Sequence, residues 1–273
     1  MGGRGSASGS GNASMYTRMP TTSPNQNVNQ LFQQVQDITD DDATNNAAPI
    51  NNDALTALTD MTDAELASFY LQSQRVDLPN HLADRADPTQ KFVYALGLND
   101  KPDVRVGAAF DQYLADNGIP RSQVLVRGVS ANSVTVNGVT LKLTAQQILN
   151  QTLYGQYNFI GGRYGGSAYG YGTYMAMVGA GNSSGYGNTR LEAVLSPNAR
   201  VVGELNLYNQ AHSFAKTHPQ FAKAVGSIST TNSSIYALAM GYNVVVEGGT
   251  HAPRGGSGDY YVIIDRKALV ARG

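Results

Sequence analysis

The side chains best suited to chemistry lie in the second half of the chain. Arg127 stands in the stretch Leu125–Ser130, which reads LVRGVS. A guanidinium is a fixed fork of donors that matches phosphate or carboxylate oxygens. Gly128 follows directly, and a residue without Cβ lets another backbone or a ligand approach closely. Two readings of Arg127 stand side by side. It grips an anion, or it lays its stem along apolar neighbours and carries its charge out to water. The second feature is the tract Ile160–Ala176, IGGRYGGSAYGYGTYMA. Gly161, Gly162, Gly165, Gly166, Gly170 and Gly172 are interleaved there with Tyr164, Tyr169, Tyr171 and Tyr174, and Arg163 and Ser167 lie among them. A loop of this kind can wrap a flat ligand, with tyrosine faces stacking and hydroxyls donating. The competing reading is a low-complexity surface loop or an adhesive segment. No Gly-Lys-Ser/Thr follows the glycines, so this is not a P-loop. No strand leads straight into a G-x-G-x-x-G and a helix, so it is not the dinucleotide fingerprint either.

Composition removes several other chemistries. The chain has no cysteine, which excludes disulfides, thiolate nucleophiles and Cys-ligated zinc. Of four histidines, His212 and His218 are six apart and lack a clear third ligand, so no metal site is expected. A formal charge of −1 offers no broad basic field for nucleic acid. No apolar run reaches transmembrane length, and the loose myristoylation pattern Met1-Gly2-x-x-x-Ser6 reads as a chance match in a glycine/serine tail.

These residues need elements to position them. Residues 1–51 are rich in glycine, serine, threonine and asparagine, with an acidic Asp40–Asp42 and a short helical pattern at Leu31–Ile38. With so little to bury, they read as a flexible tail and linker. Residues 52–122 read as a helical lead-in. Thr62 and Glu65 fit a capping box that opens a helix to Gln74. Further helices are expected over Pro88–Leu96 and Pro102–Asn117. Residues 123–273 read as the core. A strand over 123–129 alternates Val124 and Val126 against Leu125 and Arg127. Asn137-Gly138 signals a hairpin within 133–143, and Thr144 caps a helix to Tyr154. Beyond the tract the pattern predicts a helical turn at 175–180 and strands over 189–195 and 199–202. Helices follow over 205–215, 221–225 and 233–240. Strands over 243–247 and 259–265 come last.

Taken together, the pieces resemble the ADP-ribosyltransferase fold, in its bacteriophage-encoded branch, and more remotely the catalytic core of poly-ADP-ribose polymerases. The carrying residues are Arg127-Gly128, Gly172-Thr173-Tyr174-Met175-Ala176, and Asp259-Tyr260-Tyr261-Val262-Ile263-Ile264. The lead-in at Asp87–Val104 resembles the phage members too, as the GGRG-and-serine start resembles phage head-associated proteins. The likeness spans roughly residues 55–272. It implies an α+β fold with a split β-sheet core, NAD as substrate, and transfer of ADP-ribose to a protein or other acceptor. Arg127 would contact the dinucleotide or prop its pocket, and Tyr174 would stack on the nicotinamide ring. Gly128, Gly172, Arg163 and either Ser130 or Ser167 would complete the binding site.

The family's acid is normally a glutamate. Here Asp259 stands in its place, one methylene shorter, with Glu247 on the preceding strand as the alternative. Such an acid would face the positive charge that develops on the sugar as nicotinamide leaves. The resemblance further implies a virion or host-cytoplasm setting, with phage head proteins as possible neighbours. Two other functions stay open: a non-catalytic head-associated structural protein, and a module that binds NAD or ADP-ribose without turnover.

Overall fold

The computed structural model describes residues 53–77, 88–96, 98, 101–136, 139–154, 171–178, 187–247 and 260–273. The tail, the helical pattern at 31–38 and most of the glycine–tyrosine tract lie outside these residues.

Local signals set the first helices. Asp53–Asp60 forms α1 and Asp63–Ser73 forms α2. The expected capping box opens α2: Thr62 N donates to Glu65 Oε2 at 2.9 Å, and Glu65 N donates back to Thr62 Oγ1. Pro88–Ala95 is α3 and Ala108–Asp116 is α4. Thr144 and Gln147 repeat the reciprocal cap at the start of α5, Ala145–Tyr154. Glu204–Thr217 is α6. Pro219–Val225 is α7, with Pro219 in the first turn, where a missing N–H costs nothing. Ser233–Ala239 is α8, and all seven of its residues are buried.

Among the described residues ten strands accompany them: β1 Asp103–Arg105, β2 Leu125–Val129, β3 Asn132–Val136, β4 Val139–Leu143, β5 Thr173–Met177, β6 Thr189–Leu195, β7 Val201–Gly203, β8 Val244–Glu247, β9 Tyr260–Ile263 and β10 Leu269–Arg272. Strands β3 and β4 make a separate hairpin, whose turn at 137–138 lies outside the described residues. The other eight form one open mixed sheet in the order β1-β10-β6-β2-β5-β9-β8-β7. Both edge pairs, β1 with β10 and β7 with β8, are parallel, and the interior pairs are antiparallel.

Strand alternation sends side chains to two faces. One face carries Leu125, Val129, Met175, Leu191, Ala193, Tyr261 and Ile263, packed on Ile148, Leu149 and Leu153 of α5. The opposite face has two covers. Val126, Val194 and Val270 pack under Phe110 and Leu114 of α4. Val202, Val245 and Val262 pack under α1, α2, α3, α6, α7 and α8. The lead-in helices thus share one core with the strands. Asp63 ties them further: its carboxylate accepts from Gln220 N at 3.0 Å and Phe221 N at 2.9 Å, capping α7 from α2.

Three sequence expectations need correction. The helix expected over 102–117 starts only at Ala108, because Asp103–Arg105 pairs in parallel with β10 and is drawn into the sheet. The helical turn expected at 175–180 is strand β5, whose residues 173–176 pair with β9. The strand expected last is followed by β10, which lies between β1 and β6.

Candidate ligand cleft

The sheet does not stay zipped along its length. Strand β2 pairs with β6 at every position from Leu125 to Val129, but with β5 only at Leu125↔Met177 and Val126↔Ala176. Val178 N donates to Val124 O at 2.9 Å, so the ladder also closes on that side. Past Val126 the two strands part, making a fork in mid-sheet. Arg127 is the first residue inside it. Its Nη1 donates to Tyr174 O at 2.9 Å, so the guanidinium spans the gap that the backbone leaves. A charge-assisted bond of this kind is stronger than a neutral one.

Arg127 shares its face with Leu125 and Val129 and is half-buried. The alternation read from the sequence is therefore the one observed. Tyr174 is half-buried on the opposite face and packs against the Val262 core. Gly128 is buried, and Ser130 is exposed at the end of β2.

Gly172 lies hard against β9. A Cβ there would come within 2.7 Å of Ile263 O and of Val262 Cγ1. Its visible role is to let β5 enter the sheet beside β9. Just before it, Tyr171 O accepts from Ser234 Oγ of α8 at 2.8 Å, which pins the end of the tract to the buried helix. Gly187 does the matching job at the start of β6. Its φ is +141°, and a Cβ would lie 2.6 Å from Ser130 Oγ and from Val129 C. Neither Ser234 nor Gly187 stood out in the sequence. An SSIYALA helix advertises apolar burial, and one glycine among many carries no label.

Asp259, Arg163 and Ser167 lie outside the described residues. Asp259 directly precedes Tyr260, the first residue of β9. Tyr260 is half-buried and pairs with Ala176 on one side and Glu247 on the other. By register, Glu247 belongs to the row Val126–Ala176–Tyr260–Glu247, three strands from β2, and Val126 in that row faces away from Arg127, so the register does not bring Glu247 beside the guanidinium.

Arg127, Gly128, Gly172 and Tyr174 border the fork, with Ser130 at its outer end, but the side chains of Arg127 and Tyr174 lie on opposite faces of the sheet and meet only through the Tyr174 carbonyl. Among the described residues no group of three or more His, Asp or Glu side chains is placed to hold a metal ion. Among them, too, no helix is long and apolar enough to cross a membrane. Comparison with protein-family models, curated proteins and solved structures finds no match.

Proposed function

We propose that the chain is an NAD-dependent ADP-ribosyltransferase whose cleft is the fork between β2 and β5. One observation carries this reading. The segments LVRGVS, GTYMA and YYVI, far apart in sequence, occupy the neighbouring strands β2, β5 and β9 of one antiparallel set. The opening of the ladder at Arg127 supports it further, since a dinucleotide needs a gap with polar groups along it.

In the proposed reaction the C1′–N bond of the nicotinamide ribose breaks. The bonding pair leaves with the nicotinamide nitrogen, which becomes neutral. An acceptor nucleophile then bonds to C1′ and gives up its proton. Little acid catalysis is needed, because the leaving group departs from a cationic ring. The demand is for negative charge beside the developing oxocarbenium, which Asp259 supplies, with Glu247 as the alternative. Arg127 braces the fork, and Tyr174 offers its ring to the nicotinamide. Gly128, Ser130, Arg163, Ser167 and Gly172 line the dinucleotide. On this reading the protein is phage-encoded and acts in the virion or host cytoplasm on a protein acceptor. That part is supported by the resemblance of the N-terminal stretch and lead-in.

Incubating the full chain with labelled NAD tests the reading. The parent should release nicotinamide or acquire label. Asp259→Ala should lose on the order of a hundredfold or more, as expected for misplacing a charge at the reacting centre, and Glu247→Ala should lose less. The reverse order reassigns the acid. NAD bound without nicotinamide release by the parent replaces the enzyme with a binding module. Neither binding nor release leaves the structural, particle-associated role.

A further inference from the structure

Arg127 already commits a donor to the Tyr174 carbonyl, so another cation is better free to meet a ligand's charge. Arg190 on β6 pairs directly with Gly128 and is exposed. Strand alternation fixes its side. Leu191 and Ala193 point into the α5 core, whereas Val194 points under α4. Arg190 therefore stands on the face shared with Tyr174, across β2 from it.

Between the two, by register, lies Gly128, which is itself buried. Adjacent strands are about 4.8 Å apart, and an extended arginine spans more than that. The obvious internal partner is engaged elsewhere. Glu192, two residues on and on the same face, is held by Arg272 Nε at 3.0 Å and Arg121 Nη1 at 3.6 Å. Among the described residues Arg190 makes no ion pair. An exposed guanidinium with no ion pair among the described residues, on the sheet face that also carries Tyr174, suits a nucleoside diphosphate, through bidentate bonds to phosphate oxygens.

We propose that Arg190 grips the diphosphate of the dinucleotide from the β6 side of Gly128. This rests on the function proposed above and shifts the anion-binding role from Arg127 to its neighbour on β6. The test is isothermal titration of the parent, Arg190→Ala and Arg190→Lys with NAD and with ADP-ribose, at low and high salt. Arg190→Ala should weaken both ligands by about 10- to 100-fold, as loss of a charge-assisted bond implies. It should also flatten the salt dependence. Arg190→Lys should fall between. Because the residue is exposed, thermal melts should match the parent's and so exclude misfolding. If Arg190→Ala binds ADP-ribose as tightly as the parent, the assignment falls and the proposed function survives. If the parent binds neither ligand, both fall together.

Discussion

Replacing Arg127 by methionine would ask what holds the fork. The substitution keeps a long unbranched stem beside Leu125 and Val129 and deletes only the guanidinium. It removes the 2.9 Å bond from Nη1 to Tyr174 O, one polar link between β2 and β5 past the last ladder pair. A hydrogen bond to a charged group contributes about 1.5–3 kcal/mol, and a carbonyl left half-buried without its donor costs a similar amount. We take about 2 kcal/mol as the loss. For a domain of this size, each kcal/mol moves Tm by about 2–4 °C, so Arg127→Met should melt about 4–8 °C below the parent. Arg127→Lys retains a charge and donors on a shorter reach and should recover about half of this. Circular dichroism melts give the first number. Hydrogen exchange gives the second, because amides in 173–177 should exchange faster in Arg127→Met while those in β8 hold. Coincident melts and unchanged exchange in β5 would refute the argument that the guanidinium closes the fork.

Three further substitutions test other joints. Gly172→Ala puts a methyl 2.7 Å from the Ile263 carbonyl, so the strand must shift. Overpacking of this sort costs about 1–3 kcal/mol, read as a lowered Tm, and a melt equal to the parent's would contradict it. Asp63→Ala strips two acceptors from the start of α7. It should cost about 1–2 kcal/mol in urea unfolding, with m unchanged. Asp111 lies between Arg272 and Arg121, and its hydrogen bond to Arg272 holds its carboxyl below the usual range. A depressed native value stabilises the fold above the unfolded value, and that stability is lost as pH falls through the native one. Asp111→Asn should therefore melt below the parent at neutral pH, and the two should converge as pH drops below about 4. A constant gap across that range would count against the ion pair.

Much of the frame was legible in the sequence because its signals are local. Thr62 and Glu65 announce a helix start through bonds made within four residues. The Val124/Val126 against Leu125/Arg127 alternation predicts two faces whatever strand lies alongside. What escaped depends on distant partners. Strand β5 reads TYMAM, a short apolar run that suits a helix or a strand equally until β9 is seen beside it. Strand β1 has three residues and exists through pairing with Asp103↔Val270, across most of the chain. The same limit applies to the site. Arg127 and Tyr174 were each singled out, but the bond between them spans 47 positions. Arg190 gains interest only through its register against Gly128.

Hydrogen-exchange mass spectrometry of the full chain with and without NAD tests the central claim most directly. A dinucleotide seated in the fork should slow exchange across 126–130 and 171–177 together, and leave α2 and α7 unchanged. Unaltered exchange at both arms of the fork under saturating NAD, or protection confined to other elements, would contradict it.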